Sequence, residues 1–342
     1  MQNSPTPLPG LSNRNLRVDT PTDVYVLRLA RPDGSGYVDR AHELAVTAAM
    51  SELGIGAPFV AGDAAAGWLI TRFVAGAEPL TGERLNSDVA ALASVVAGFR
   101  RLQRAPVRFD RVFDPFDTIE DYRQKLARAP HALPLDPALL DALPIAAAWV
   151  AAEPPAPADV AHPHDAAAPI LDRQPLPAAP PATIADPVLR EVVADLLAEH
   201  ADARAPDPLA STDAPRAADP TSGSRSGLVP AHGDPTPANM LFDGVAVTLI
   251  DWEYAAMAHP LWDFAGLAVE AALPTDAELA MLAMAGVRPT RGYVGLKFAA
   301  LMVSGLWAAL RDDSARPDLA IRRLRDERLS LAAVLADKIL AA

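Results

Sequence analysis

The first quarter of the chain alternates between apolar and polar positions. Leu16-Arg-Val-Asp19 and Val24-Tyr-Val-Leu-Arg-Leu29 show the two-residue period of half-buried strands, the second around one cation, Arg28. A polar turn, Leu11–Asn15, leads into the first, and Gly67–Val74 reads as a further strand. Between them a helix is predicted. Asp39 caps its start, Glu43 lies in its first turn, Ala41, Leu44, Ala48 and Met50 give it an apolar side, and Gly54 ends it. Asn86–Arg104 carries Val89, Leu92, Val96, Phe99 and Leu102 at helical spacing, with Arg100, Arg101 and Arg104 as a solvated end. Thr118–Leu126 is a shorter helix with Ile119, Tyr122 and Leu126 on one side.

From about residue 130 the pattern dissolves. Residues 150–183 and 201–227 are rich in Ala, Pro, Asp, Ser and Thr, and bury too little apolar surface to offset chain entropy. They read as low-complexity insertions. Between them Asp186, Pro187 and the repeat Val188, Val192, Leu196 predict a helix over 186–200. After Phe264 four helices are expected, over 265–272, 275–285, 293–310 and 317–340, the last with a solvated face of alternating charge. The expectation is an α+β chain: a small antiparallel β lobe over residues 1–75 and a larger, mainly helical lobe over 76–342.

Composition narrows the function. With 342 residues the chain can build two cored lobes. It has no cysteine, which excludes disulfides, thiolate metal sites and cysteine nucleophiles. A net charge of −13 argues against nucleic acid and anionic membranes as partners. The N-terminus has no basic start and no apolar core, and the run Phe298–Leu310 is shorter than the roughly 20 residues that span a bilayer. A cytoplasmic protein is expected. His162 and His164 stand in a flexible acidic tract without the held geometry of a metal site. Oligomeric state is not legible.

The chemistry gathers between Val229 and Phe264. Asp234 and Asn239 stand five apart on a Pro-rich loop, and Asp251 closes a strand-like run, Val245–Ile250. A loop carboxylate, a loop amide and a strand-end carboxylate suit phosphoryl transfer. One group takes the proton of the acceptor hydroxyl, and two hard oxygens hold Mg²⁺ against nucleotide phosphates.

These residues carry a resemblance. His232-Gly-Asp234 with Asn239, followed by Ile250-Asp-Trp-Glu-Tyr254, resembles the kinase-like phosphotransferases that include aminoglycoside phosphotransferases and choline/ethanolamine kinases. It looks most like the bacterial choline kinase-like members. The resemblance covers about 10–126 and 186–340. It implies a bilobal protein-kinase-like fold, ATP and Mg²⁺ as cofactors, and a small-molecule acceptor. Asp234 would be the base, with His232 organising its loop, Asn239 and Asp251 the metal ligands, and Asp263 a brace. In the nucleotide lobe it implies Arg28 on the phosphates with Glu43 as its partner, a phosphate loop holding Ser12, Asn13 and Asn15, and an adenine-reading hinge near Thr71 and Phe73. Nine residues, three of them Pro, precede Gly10, so the lobe's first strand is expected short or missing. For the acceptor, Glu253, Tyr254, Trp262 and Trp307 supply the negative charge and aromatic faces that a cationic amino alcohol such as choline or ethanolamine needs, with Glu270 nearby. Aminoglycoside, thiamine or sugar-like acceptors, a non-catalytic binding protein, and a scaffold built on the 150–227 tract remain open on the same residues.

Overall fold

A computed structural model of the protein describes residues 5–10, 13–30, 38–128, 133–153, 173–176, 183–202, 227–312 and 318–342. Ser12, His162, His164 and most of the two Ala/Pro-rich tracts lie outside the described residues.

The alternation at the start of the chain becomes a five-stranded antiparallel sheet. Its strands are β1 (Thr6–Leu8), β2 (Asn13–Asp19), β3 (Val24–Ala30), β4 (Phe59–Asp63) and β5 (Trp68–Arg72), in the order β1-β2-β3-β5-β4. The first strand is present and short: Thr6 pairs with Arg17 and Leu8 with Asn15. Asn13 and Asn15, expected in a turn, are already in β2. Register assigns the faces. Leu16 opposes Leu27, and Leu27 opposes Ile70, all on one side; Asn15, Arg28 and Leu69 share the other. Helix α1 (Arg40–Glu52) starts at Asp39, whose carboxylate accepts from the Ala41 and His42 amides. It ends before Gly54, at φ 63°, where the left-handed conformation is open to glycine. Arg101, read as solvated, donates to the Gly54 carbonyl and ties that end down.

The stripe read over 86–104 is two helices, α2 (Gly82–Ser87) and α3 (Val89–Gln103), because Asp88 caps the second through the Ala90 and Ala91 amides. Val89 is therefore exposed, and α3 buries Leu92, Val95, Val96, Phe99 and Leu102. The strand pair β6 (Glu78–Pro79) and β10 (Met240–Phe242), with β11 (Val247–Leu249), forms a small sheet. β7 (Val107–Arg108) pairs with β8 (Gln174–Pro175), and β9 (Val229–Ala231) with β12 (Ala256–Ala258).

The large lobe contains α4 (Pro115–Arg128), α5 (Pro137–Ala151), α7 (Trp262–Glu270), α8 (Thr275–Met284), α9 (Arg291–Arg311) and α10 (Leu319–Leu340). α5 fills a stretch read as featureless. It is apolar nearly all round, so it has no polar face to betray it, and Asp136 caps it ahead of Pro137. α9 is long and apolar enough to cross a membrane by length and composition, but α4, α5, α7 and α10 pack against it. On α10, Arg328 departs from the solvated face: it is buried and pairs with Glu270 at 3.2 Å.

The helix predicted at 186–200 exists, as α6 (Pro187–Asp202), but its place differs from expectation. Its buried stripe is Leu189, Val193 and Leu196. With Ile184 it forms one core with Leu16, Val18, Tyr25, Leu27, Leu29, Ala61 and Ile70. The helix thus lies on the small lobe's sheet, on the face away from Arg28.

Candidate active site

β9 leads into His232-Gly-Asp234. The loop turns at Gly233, φ 84°, where a Cβ would meet the Tyr254 carbonyl oxygen at 2.2 Å, so a side chain is excluded there. Asp263, in the first turn of α7, accepts from the His232 and Gly233 amides at 2.8 and 3.1 Å. It ties these two amides to α7 and does not cap the helix. Burial pushes its carboxyl above the usual range. The His232 ring is buried against Trp252, with its Nε2 2.9 Å from the Ile250 carbonyl. Burial lowers its pKa, so the neutral ring donates from Nε2 and leaves Nδ1 toward the Asp234 amide.

Asp234 is thereby aimed out of a rigid turn. The Asn239 Nδ2 donates to its Oδ2 at 2.9 Å and to its backbone carbonyl at 3.2 Å, which leaves Asn239 Oδ1 for another partner. Desolvation holds the Asp234 carboxyl well above the ordinary range; the nearby carboxylates Asp251, Glu270 and Glu253 add to this against the Asn239 hydrogen bond. A buried carboxylate set among other carboxylates suits a cation.

The second half of the site hangs from the small lobe. Arg28, 8% exposed, donates to Asp251 Oδ1 at 2.6 Å and pairs with Glu43. Asp251 sits at φ 69°, a conformation costly for a residue with a side chain and typical of over-determined functional positions. Its neighbour Trp252 is fully buried behind it, with its indole against Gly56. Glu43, Asp251 and Glu253 offer carboxylate oxygens within 4.8 Å of one another, hard ligands that fit Mg²⁺.

Glu253 corrects the sequence reading. Expected at the acceptor, its carboxylate instead accepts from Asn13 Nδ2 at 3.1 Å and from Arg40 Nη1 at 3.4 Å, and lies 3.6 Å from Arg28. A carboxylate only 1% exposed must be paired, and among the described residues Arg40 and Arg28 are the cations beside it. Arg40 was not anticipated. The first residue of α1, it bonds Glu43 at 2.7 Å and extends the cluster. Its sequence signal, a cation between a helix cap and Glu43, is indistinguishable from a solvated helix start. Asn15 bonds the Pro9 carbonyl. Thr71 lies half-buried on the Arg28 face, and Arg17 stacks 4.7 Å over the Phe73 ring.

On the acceptor side the aromatics divide. Tyr254 is half-buried beside Asp234, Tyr122 and Arg311, and burial raises its phenol well above the ordinary value. Trp262 is instead a core residue, 3% exposed and tilted over Phe113 at 4.7 Å. Trp307 is half-buried, with the Arg311 guanidinium 5.3 Å over its ring.

The sequence profile of the phosphotransferase enzyme family matches residues 5–169 and 162–298. No curated protein matches the chain. Similar solved structures include a choline/ethanolamine kinase family protein from Mesorhizobium loti, at 21% identity and TM-score 0.66 over 98% of this chain and 88% of that one. Choline kinase LicA from Streptococcus pneumoniae is similar at 15% identity and TM-score 0.65, over 98% and 93%. The macrolide 2′-phosphotransferase MphH from Brachybacterium faecium follows at 18% identity and TM-score 0.50, over 97% and 91%. At these identities the likeness is one of fold: a kinase-like arrangement of a sheet lobe and a helical lobe.

Proposed function

The chain belongs to the phosphotransferase enzyme family, and from this we propose that it moves the γ-phosphoryl group of ATP, with Mg²⁺, to the hydroxyl of a small amino alcohol, choline or ethanolamine first, in the cytoplasm. The observation that carries the reading is the meeting of Arg28 and Asp251 beside Asp234. It joins a phosphate-binding cation from one lobe to a metal-type carboxylate and a base from the other.

In this mechanism Asp234 orients the acceptor hydroxyl and takes its proton as the oxygen attacks phosphorus. The proton passes to the Asp234 carboxylate, the bond from the acceptor oxygen to the γ-phosphorus forms, and the bond from that phosphorus to the bridging oxygen breaks to release ADP. Asn239 keeps Asp234 in one rotamer through Nδ2 and offers Oδ1 to the metal. Asp251, with Asn239 Oδ1, would hold Mg²⁺, and Arg28, still paired with Glu43, would then have a donor free for a phosphate oxygen. Bound Mg²⁺ supplies charge neutralisation across the phosphates. Asn13 and Asn15 line the phosphate side, and Thr71 and Phe73 the adenine side. Tyr254 offers the acceptor its aromatic face. Arg311 over Trp307 favours a second reading, in which that face is taken and the acceptor is an alcohol other than a quaternary amine.

ADP release measured over a panel of choline, ethanolamine, thiamine, an aminoglycoside and simple sugars decides between them. Turnover only on the last three would sink the amino-alcohol assignment. Asp234→Asn is expected to lower kcat by about 10²–10⁴-fold, the usual worth of a positioned general base. Unchanged turnover in that variant would remove the mechanism.

A further inference from the structure

Tyr254 packs on the loop that carries Asp234: a Cβ at Gly233 would lie 3.1 Å from the Tyr254 Cβ. Two guanidiniums that the mechanism leaves unused stand beside this tyrosine. Arg111, between β7 and α4, donates from Nη1 to the Glu253 carbonyl at 3.1 Å, the carbonyl bonded to the Tyr254 nitrogen. Its backbone is held in place. The Met257 amide donates to the Arg111 carbonyl at 2.8 Å, and the Phe113 amide donates back to the Met257 carbonyl at 2.9 Å. Arg311, the last residue of α9, lies 5.3 Å over the ring of Trp307, one helical turn earlier. Both cations act on the Tyr254 phenol: Arg311 draws its pKa down against burial, and Tyr254 in turn draws that of Arg111 up.

The other guanidiniums of the site are already answered. Arg28 meets Glu43 and Asp251, Arg40 meets Glu43, and Arg328 meets Glu270, the carboxylate of the acceptor end. Asp39, which favours the charge on Arg111, is engaged as the cap of α1. Among the described residues, neither Arg111 nor Arg311 pairs with a carboxylate. Arg111 is half-buried, and burial lowers its pKa. A desolvated charge is costly until an opposite charge meets it. A guanidinium keeps its proton and offers a planar fork that matches carboxylate and phosphate oxygens. A ligand with positive charge alone would meet like charge beside Tyr254, whereas one with an acidic group would satisfy both cations.

We propose that Arg111 and Arg311 form an acid-binding subsite at Tyr254, and that the acceptor is a small alcohol with a carboxylate or phosphate group of its own. The proposal rests on the phosphotransfer reading and narrows its acceptor.

ADP release by the full chain with Mg²⁺ and ATP, over acceptors matched in all but the acidic group, tests this. Serine is set against ethanolamine and homoserine against 3-aminopropanol, each pair differing by a carboxylate; glycerol 3-phosphate against glycerol differs by a phosphate. In at least one pair the acidic member is expected to show a kcat/KM about tenfold higher or more, the scale of a hydrogen bond to a charged group. Which pair responds tells carboxylate from phosphate. Arg311→Met should bring that pair close to equal, through a raised KM for the acidic member, and Arg311→Lys should recover part of the preference. Arg111→Met should do the same, with circular dichroism reporting whether it folds. Turnover confined to the members without an acidic group, equal kcat/KM within every pair, or a preference that survives in both methionine variants would overturn the subsite. A wild type that releases no ADP with any of these alcohols, or with choline, thiamine or an aminoglycoside, overturns the phosphotransfer reading itself and the subsite with it.

Discussion

On the inner face of the small lobe, two guanidiniums, Arg28 and Arg40, are set among three carboxylates, Glu43, Asp251 and Glu253. The surplus negative charge is what a divalent cation can answer, whereas losing one of the two guanidiniums would leave buried carboxylates uncompensated at a cost of several kcal/mol. Beside this cluster His42 plays a quieter part. It is buried, its Nε2 2.9 Å from the Ala255 carbonyl, with its ring edge-on to Phe109. Burial lowers its pKa, and the hydrogen bond to Ala255 does not offset this. The unfolded chain therefore binds a proton at His42 near pH 6.5 that the folded chain resists, so stability falls as pH drops below that value and levels off once the folded-state pKa is passed. Thermal midpoints measured from pH 7.5 to 5 should decline for the wild type and decline less for His42→Gln. Parallel pH profiles would mean that His42 does not contribute to the acid sensitivity.

At the scale of elements, two glycines in helices make opposite predictions for one substitution. Gly98 in α3 has no neighbour within 4 Å of a would-be Cβ, so Gly98→Ala should stabilise by about 0.5–1 kcal/mol through helix propensity alone. At Gly295 in α9 a Cβ would meet the Ala146 carbonyl oxygen at 2.8 Å and Val150 at 3.1 Å, so Gly295→Ala should push α9 from α5 and destabilise by about 1–3 kcal/mol. Urea midpoints read both, and equal signs would contradict the packing described. The same elements show what the sequence could and could not disclose. β3 and α1 were legible because each buries one face and carries local punctuation, Asp39 and Gly54 among it. The loop from His232 to Asn239 was legible because its polar residues lie within one short stretch. α5 was hidden by being apolar on all sides. α6 was legible as a helix, but its stripe is Leu189, Val193 and Leu196 where Val188, Val192 and Leu196 had been read, and nothing local names a sheet some 160 residues earlier as its partner. Glu253 and Trp262 misled for the same reason: a carboxylate or an indole has the right chemistry for an acceptor pocket wherever it points, and only tertiary contacts give the direction.

For the whole molecule the decisive contacts cross between the lobes. Arg28 reaches Asp251, Asn13 reaches Glu253, His42 reaches the Ala255 carbonyl, and the Leu249 amide bonds Ile55. All four converge on residues 249–255, so the strand end carrying Asp251 is held from the small lobe as well as from its own sheet. A ligand that engages Arg28 and Asp251 together binds the assembled pair of lobes and not the unfolded chain, and linkage then stabilises the fold by about 2.7 kcal/mol at a free concentration of about 100 times Kd. Mg²⁺ with ATP should therefore raise the thermal midpoint of the wild type, and ATP with a chelator should raise it less. In Asp251→Asn the carboxylate proposed to exchange Arg28 for the cation is gone, while the amide can still accept from Arg28. That variant should fold with a midpoint near the wild type's and respond to ATP almost equally with and without Mg²⁺. A full Mg²⁺-dependent rise in Asp251→Asn would place the metal on other ligands and leave the Arg28–Asp251 contact as an ion pair between lobes without a part in the chemistry.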